Sequence, residues 1–316
     1  MSEMKTELKD GLFTRAPTRT HRQNVDADGQ PKEVEILDFL PEGQHYTTSF
    51  GVQWNKYRNV QIDRFNGTRS SYNHLKMFAL DRLDVLEGKT ILEIGSGAGR
   101  FTDHLVGIGA KVITVDPSAI FFNVALGAPN LVPIRADLFD VPVNRGEIDV
   151  VFCRGVVQHT ADVRLAIRRL FDYAKPGGLV MFDVYHMKWF TPFVAKYWLR
   201  PFTRNIPSTK FIPFAEKWVP RLLRFKNRFV KPLLPKNKFG INLAHQLVPI
   251  ADFTDVRELS PQNQVQWSVL DTVDMYTPAY DTPMTWNAVM NLLREVGATN
   301  IQGDHRSFCF MANAPL

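Results

Sequence analysis

The chain has 316 residues, of which 45% are hydrophobic and 22% are charged, the composition of an ordinary globular protein. No apolar run approaches the roughly 18 residues needed to cross a bilayer, which excludes a membrane-spanning helix. The first thirty residues lack the apolar core of a signal peptide, so we expect a cytoplasmic protein. Cys153 and Cys309, the two cysteines, lie in apolar segments and are expected to be reduced core thiols.

Positive charge is concentrated in one part of the chain. The formal net charge is +6, and the pI is about 9.3. Residues 186–240 contain 13 Lys and Arg against a single acid, Glu216, so this segment carries +12 and the remainder of the chain carries −6. We therefore expect a mildly acidic body with a strongly basic insert.

Residues 1–45 are polar without clear periodicity, which predicts an N-terminal extension, and a helical cap is expected over 46–89. From residue 90, short apolar runs alternate with segments of helical spacing. The runs predicted as strands are 90–94, 111–115, 131–134, 148–153 and 179–184. Helices are predicted over 101–108 and 161–174, with a KPGG turn after the second. This alternation indicates an α/β fold, a parallel sheet covered by helices on both faces.

The alternation stops at 186, and the segment 186–261 is predicted to be an insert or lid that is basic and rich in aromatic residues. The pattern resumes at 262, so the main domain is expected to comprise 90–185 and 262–316. Thr282 and Pro283 fit an N-cap and first helical residue. That helix should end near Glu295, and two final strands are expected over 299–302 and 307–312.

The most informative segment is ILEIGSGAGRFT, which starts at Ile91. An apolar run ends in an acid, Glu93, and Gly95, Gly97 and Gly99 follow at every second position. Glycine at these positions permits positive φ and a close approach of a ligand to the backbone. The helix that follows offers unpaired N–H groups at its start. The segment therefore predicts a turn that binds a nucleotide-like cofactor.

Arg100 helps to decide which cofactor is meant. Dinucleotide-binding folds use G-x-G-x-x-G/A, whose third small residue allows close packing of helix and strand. Here that position holds a large, charged side chain, and the spacing is instead E-x-G-x-G-x-G. This pattern resembles the first motif of the class I S-adenosylmethionine-dependent methyltransferases. Asp116, Asp137 and the KPGG turn follow in the order seen in that family.

The resemblance implies a Rossmann-like, seven-stranded, mostly parallel sheet whose last strand is antiparallel. It implies S-adenosyl-L-methionine as the cofactor, with Asp116 accepting the ribose hydroxyls and Asp137 facing the adenine amino group. The expected cofactor-binding residues are Glu93, Gly95, Ser96, Gly97, Gly99, Arg100, Asp116, Pro117, Asp137, Leu138 and Arg154. The segments FGVQWNKYRNVQID, GVVQHT and LDTVDMYTPAYDTPMT also resemble a bacterial subgroup, methyltransferase type 11/12-like, that is associated with glycans and small molecules.

Candidates for the chemistry follow the fourth and fifth strands. A [D/N/S]-P-P-[Y/F] signature, typical of methylation at base or amide nitrogen, is absent after Phe152. His159 is the best general-base candidate, because imidazole takes up protons near neutral pH. It could instead cap a helix or line the adenine pocket. The residues expected either to bind substrate or merely to continue the fifth strand are Asp183, Tyr185 and His186, with His305 a weaker candidate. No cluster has metal-ligand spacing, so no metal is expected.

The basic insert contains a predicted helix with two chemically distinct stripes. Its apolar stripe comprises Phe211, Phe214, Trp218, Leu222, Phe225 and Phe229, with an interruption at Pro220. Beside it lies a cationic stripe of Lys217, Arg221, Arg224 and Arg228. The pattern is typical of a helix at a membrane interface or of a lid that holds phosphate. An ordinary amphipathic helix and a single-stranded nucleic acid site are the other interpretations.

These observations predict a methyltransferase that acts on a hydroxyl of a glycan precursor or another small molecule, by in-line transfer. Such an acceptor could be lipid- or nucleotide-linked, and segment 211–230 could contact a membrane from the cytoplasmic side. One alternative is an RNA or protein methyltransferase whose insert binds a polyanion. Another is a non-catalytic protein that binds S-adenosylmethionine, although the intact glycines and both acids argue against it.

Overall fold

The computed structural model describes residues 12–27, 30–42, 48–78 and 83–316, which form two compact units. Unit 1 contains the described residues up to 48 together with 69–187 and 280–316, and unit 2 contains 49–68 and 188–279. These limits differ from the expected domain boundaries. The expected cap divides between the two units, and the insert extends to 279 rather than 261, because the helix after Ser260 packs within unit 2.

Unit 1 is built on a sheet of nine strands within the described residues. The strands are β1 Arg19–Ala27, β2 Gln30–Asp38, β3 Thr90–Ile94, β4 Lys111–Val115, β5 Leu131–Arg135, β6 Ile148–Cys153, β7 Ala174–Asp183, β8 Thr299–Gly303 and β9 Cys309–Asn313. Their order is β1-β2-β5-β4-β3-β6-β7-β9-β8. Strands β3 to β7 run parallel, and β9 is antiparallel to β7. The predicted α/β architecture is thus confirmed for β3 to β9.

The strand count of seven is corrected by an N-terminal hairpin. Residues 1–11 lie outside the described chain, but β1 and β2 pair antiparallel, and β2 joins β5 in parallel. Val34 and Ile36 on β2 face a buried cluster. Asp38, at the end of β2, accepts hydrogen bonds from Arg135 on β5 and pairs with His21 on β1, each at 2.9 Å. Charged side chains therefore join these strands to the sheet as much as apolar ones.

The helices complete both units. They are α1 Thr48–Tyr57, α2 Asp63–Asn66, α3 Ser70–Lys76, α4 Thr102–Gly107, α5 Val163–Tyr173, α6 Ala195–Thr203, α7 Ser208–Phe225, α8 Lys238–Leu247, α9 Pro261–Tyr276 and α10 Trp286–Glu295. Helix α10 starts later than expected, because Thr285 rather than Thr282 caps it by accepting a hydrogen bond from the Ala288 N–H. None of the helices in the described residues has the length and apolar character needed to cross a membrane.

Both faces of the unit 1 sheet are buried. On β3, Leu92 and Ile94 lie in one hydrophobic cluster with α5 and α10, whereas Ile91 lies in another with α3 and α4. The KPGG segment is not a separate turn as expected, because β7 starts at Ala174. Its register with β6 instead shifts there, from Ile148 opposite Ala174 to Val150 opposite Leu179. The C-terminal ends of the parallel strands remain aligned at one edge.

Unit 2 packs α7 and α9 around a cluster of its own. Helix α7 continues through Pro213 and Pro220, so the predicted interruption at Pro220 is wrong. A proline within a helix costs about 3 kcal/mol, which the packing of the buried face offsets. That face consists of Phe211, Ile212, Ala215, Val219 and Leu223. It coincides with the predicted apolar stripe at Phe211, and Leu222 packs partly against the same cluster, whereas the other aromatic residues of that stripe are exposed.

Candidate active site

The glycine turn after β3 has the backbone that its sequence predicts. Gly95, Gly97 and Gly99 have φ of 76°, 55° and 93°, a region that glycine enters without strain. A Cβ at Gly95 would collide with the side chain of Val156, and one at Gly99 with that of Asn123. The Gly95 N–H donates to the Val115 carbonyl at 2.7 Å, so the end of β4 supports the turn.

Glu93 lies buried beneath this turn. Its Oε2 accepts hydrogen bonds from the hydroxyls of Thr102, at 2.6 Å, and Thr114, at 3.0 Å, which join β3 to α4 and β4. Burial raises the pKa of Glu93 to about 7, against the opposing effect of these two hydroxyls. Its Oε1 is buried without a hydrogen-bond partner among the described residues, as is the hydroxyl of Ser96. Two unsatisfied polar atoms in a glycine turn fit a site for a polar cofactor.

Asp116 ends β4 and is held on both carboxylate oxygens. Its Oδ2 accepts from the Gly97 N–H at 2.9 Å, and its Oδ1 accepts from the N–H groups of Ser118 and Ala119 at 2.9 and 2.6 Å. The Pro117 carbonyl accepts from Arg135 Nε at 2.9 Å. The carboxylate is therefore fixed against the glycine turn, and Oδ2, which accepts the Gly97 N–H, keeps a second lone pair. Its role toward ribose stays a prediction.

Asp137 and Leu138 follow β5. The Asp137 carboxylate accepts from the Phe139 N–H at 2.9 Å and so caps a short helical turn. Leu138 is buried, and its carbonyl accepts from the Tyr173 hydroxyl at 2.8 Å. Both residues lie at the edge where the parallel strands end. The contact of Asp137 with adenine stays a prediction.

Arg100 contacts helix α3 in the structure. Its Nε donates to the Ser71 hydroxyl at 3.0 Å, and its guanidinium lies 3.0 Å from Nδ1 of His74. The large side chain at this position therefore connects the glycine turn to α3. Its predicted contact with the cofactor remains untested.

Arg154 and Asp183, predicted for different roles, form an ion pair. They follow or end the neighbouring strands β6 and β7, with Arg154 Nη1 3.2 Å from Asp183 Oδ2. Asp183 Oδ1 also accepts from the Gly155 N–H at 2.5 Å, and Arg154 donates to Cys309 Sγ at 2.9 Å. This pair cross-links the loops after β6 and β7, a relationship that sequence reasoning missed.

His159 is nearly buried, and its surroundings define its tautomer. Nδ1 lies 3.0 Å from the carbonyl oxygen of Tyr280. Because a carbonyl only accepts, Nδ1 must carry a proton, which leaves the lone pair of the neutral ring on Nε2. The ring of Tyr185 meets the His159 ring edge-on, with centroids 5.4 Å apart. The geometry is that of an oriented imidazole, and its catalytic role stays a prediction.

Aromatic side chains lie at the ends of β7 and β9. His186 stacks on Phe308 with centroids 4.0 Å apart, and His305 stacks on Trp286 at 3.5 Å. Phe308 has φ of 56°, which is unusual for a bulky residue and is found where function requires a special geometry. Tyr185 and His186 lie beyond Asp183, where β7 ends, and together with Phe308 they form what we call the aromatic wall. Their contact with a substrate stays a prediction.

Gln158 is a residue that the sequence reasoning did not select. Its side chain has no exposed surface, and neither amide atom has a hydrogen-bond partner among the described residues. Burying a polar group unpaired costs about 1–3 kcal/mol, so such a group calls for an explanation. Its position next to His159 could have drawn attention to it, but only the fold reveals that it is unsatisfied.

No three His, Cys, Asp or Glu in the described chain are grouped as a metal site.

Comparison with known proteins places this site in a family. Residues 66–215, which include the glycine turn, Asp116, His159 and Asp183, match the family model described as a methyltransferase domain. The match spans just under half of the 316 residues and supports an S-adenosylmethionine-dependent methyltransferase that resembles class I of these enzymes. Its cofactor is S-adenosylmethionine, as the motif predicted.

Two curated relatives of this methyltransferase are named ubiquinone biosynthesis O-methyltransferase. The protein of Rhodopseudomonas palustris is 28% identical over 54% of this chain and 66% of its own length. That of Bradyrhizobium diazoefficiens is 28% identical over 67% of this chain and 81% of its own. The solved structure of human N-acetylserotonin methyltransferase is 14% identical, with a TM-score of 0.45, over 88% of this methyltransferase and 61% of the human chain. The fold itself is established by the strand order.

Proposed function

We propose that this methyltransferase methylates a hydroxyl oxygen of a small acceptor, with His159 as the general base. The orientation of His159 is the observation that carries the proposal. Its Nδ1–H donates a hydrogen bond to the Tyr280 carbonyl, so Nε2 is the nitrogen that can receive a proton. The name O-methyltransferase of the curated relatives supports an oxygen acceptor.

The chain supplies binding and proton transfer, while S-adenosylmethionine, when bound, supplies a methyl group on a positively charged sulfur. Glu93, Ser96, Asp116 and the glycine backbone would hold it. A hydroxyl must lose its proton as its oxygen is alkylated, and His159 Nε2 would receive that proton. The Tyr280 carbonyl then stabilises the imidazolium through Nδ1, as it already orients the neutral ring.

The aromatic wall and Gln158 support an acceptor with a ring and polar substituents. Tyr185 and His186, both partly exposed, offer flat surfaces that can stack on a ring, and buried Phe308 supports His186 from behind. The Gln158 amide offers one acceptor and two donors to a ligand. A sugar of a glycan precursor fits this description, whether free or linked to a lipid or nucleotide. The glycan remains our proposal among small ring-containing hydroxyl compounds.

A methyl-transfer assay tests the proposal. The protein is incubated with methyl-labelled S-adenosylmethionine and a panel of sugar phosphates, nucleotide sugars, lipid-linked sugars and phenols, each paired with its deoxy analogue. RNA and peptides are included in the panel. We expect label on a ring hydroxyl and none on the matching deoxy compound. Label on RNA, on a peptide or on a nitrogen would contradict the proposal.

A further inference from the structure

Exposed hydrophobic side chains are concentrated in unit 2. Of the 21 large hydrophobic residues that are exposed in the described chain, 15 lie in this unit. Scattered exposed residues are normal in globular proteins, but a concentration of them marks a contact surface. The aromatic members within the insert are Trp189, Phe190, Phe193, Trp198, Phe202, Phe214, Trp218, Phe225, Phe229 and Phe239.

Helix α7 arranges part of this set in a line, here called the aromatic stripe: Phe214, Trp218 and Phe225. At 3.6 residues per turn, these three positions lie within a narrow angle around the helix axis. They form a side of the helix separate from its buried face. Phe214 and Trp218 are 56% and 42% exposed, with ring centroids 6.3 Å apart. Phe225 continues the line to Phe229, 5.6 Å away. The helix therefore exposes bulky rings on one side, while the adjoining side is packed in the core of unit 2.

Exposed cations lie on the same helix and along the rest of the insert. Lys217 and Arg221 lie over the Trp218 ring, at 5.9 and 5.8 Å from its centroid. Within the described residues, nine exposed cations of segment 186–240 have no ion-pair partner. They are Lys188, Arg204, Lys210, Lys217, Arg221, Arg224, Arg228, Lys236 and Lys238.

Glu216, the single acid of residues 186–240, does not neutralise them, and Asp252 and Asp255 further along the insert pair with Lys226 and Lys231. Glu216 accepts hydrogen bonds from Lys56 and the Tyr57 hydroxyl, at 2.8 and 2.7 Å, within unit 2. Unit 1 differs, since its half-buried Arg168 and Arg169 pair with Glu295 and Asp172. The positive field of the insert is therefore uncompensated, and its partner must carry negative charge.

We propose that unit 2 docks on the surface of an anionic lipid bilayer through helix α7. The aromatic stripe would enter the boundary between headgroups and acyl chains, and the flanking cations would meet lipid phosphates. Leu233, Ile241 and Leu247 are also exposed, and such aliphatic side chains suit hydrocarbon but do not stack on nucleic acid bases. A second copy of the same positive surface would be repelled. The proposal concerns binding alone and does not rest on the acceptor of the methyl group.

Vesicle flotation of the full chain tests this docking. Phosphatidylcholine vesicles with and without phosphatidylglycerol are the probes, and we expect flotation only with the anionic lipid. Arg221→Glu/Arg224→Glu/Arg228→Glu should weaken binding by about 100-fold, since each cation near an anionic surface contributes about 1 kcal/mol. Phe214→Ser/Trp218→Ser/Phe225→Ser should weaken it by at least about tenfold. Both variants change exposed positions, and circular dichroism melting verifies that they fold.

Matched controls and two competing partners make the test decisive. Lys89→Glu/Arg164→Glu and Leu165→Ser change exposed residues of unit 1 and should bind vesicles like the wild type. Equal flotation with both vesicle types, or loss of binding in these controls, would overturn the proposal. So would RNA binding that competes fully with anionic vesicles yet is unaffected by the aromatic substitutions. A dimer in sedimentation that dissociates when the aromatic stripe is replaced would also overturn it.

Discussion

The Nδ1 atom of His159 lies 3.0 Å from the carbonyl oxygen of Tyr280, which is 121 positions further along the chain. Two backbone hydrogen bonds fix the segment around this carbonyl. The Thr282 N–H donates to the Gln158 carbonyl at 2.9 Å, and the Met284 N–H donates to the Tyr185 carbonyl at 2.8 Å. The segment after Tyr280 is thus aligned with both of the loops that carry the proposed base and the aromatic wall.

Asp116 should control cofactor affinity. Asp116→Ala removes the acceptor of the Gly97, Ser118 and Ala119 N–H groups together with the proposed ribose contact. We expect the binding of S-adenosylmethionine, measured by isothermal titration, to weaken by at least about 2 kcal/mol. Asp172→Ala, which removes an exposed carboxylate from α5, is the control and should bind normally. Unchanged affinity in Asp116→Ala would refute the assignment of this residue to the cofactor site.

Glu93 should make the stability of the fold depend on pH. Burial raises its pKa from 4.5 to about 7 in the folded protein, so the folded state holds this proton more tightly than the unfolded chain. The resulting stabilisation is fully present below pH 4.5 and is lost as the pH rises through 7. Relative to Glu93→Gln, the wild type should lose about 3 kcal/mol of unfolding free energy between these limits. Denaturant titrations at several pH values measure this difference, and parallel curves would contradict the prediction.

Gln158 is expected to lower the stability of the ligand-free protein and to contribute to methyl transfer. Gln158→Met keeps the volume but removes two buried, unsatisfied polar atoms, so we expect the ligand-free protein to gain about 1–3 kcal/mol of stability. Methyl transfer should fall, because the amide is proposed to bind the acceptor. Gln61→Met is the matched control. That change removes the hydrogen bond that the Gln61 amide donates to Asp271 at 3.0 Å and should destabilise the protein. A destabilised Gln158→Met would indicate that the amide is satisfied within the fold.

A buried ion pair in unit 2 offers a separate test of the fold. The Lys226 ammonium has no exposed surface and lies 3.3 Å from the Asp252 carboxylate. Lys226→Met should lower the unfolding free energy by about 3–5 kcal/mol, because it removes one of the two cations beside the buried carboxylate and leaves Lys231 as the other. Lys226→Met/Asp252→Leu should recover much of that loss in urea titrations. Equal stability of the two variants would show that Lys231 alone compensates the carboxylate.

The same carboxylate should make the stability of unit 2 fall at low pH. Burial opposes the charged form of Asp252, but hydrogen bonds from Thr254 and Lys231 outweigh it and lower the pKa to about 2. The stabilisation from this group is present above its ordinary value of 3.8 and is lost as the pH falls through 2. Asp252→Asn should therefore flatten the acid branch of the stability curve. An acid branch as steep as that of the wild type would contradict the assignment.

The buried centre of the sheet was predictable because parallel strands covered on both faces are continuous apolar runs. Strands β3 and β6 therefore lie where the sequence placed them. The hairpin of β1 and β2 was not, since an edge pair carries polar side chains. Asp38 is buried there beside the guanidinium groups of Arg19 and Arg135, with a hydrogen bond to His21. Such compensation depends on distant residues that no local pattern reveals.

The faces of α7 were assigned wrongly for a related reason. Large aromatic residues dominate a hydrophobic pattern, but apart from Phe211 the hydrophobic residues of α7 that pack are smaller, among them Ala215 and Val219. Phe214 and Trp218 recur at equally helical spacing and are exposed. The ion pair of Arg154 with Asp183 likewise depends on the adjacency of β6 and β7, which the sequence implied, and on loop geometry, which it did not.

The central claim is that His159 removes a proton from an acceptor hydroxyl during methyl transfer. It is tested most directly by the turnover of His159→Ala at saturating S-adenosylmethionine, with His104→Ala as the matched control. We predict a fall in kcat of about 100-fold or more, an unchanged affinity for the cofactor, and normal turnover in the control. Turnover of His159→Ala equal to that of the wild type, with the cofactor bound, would contradict the account.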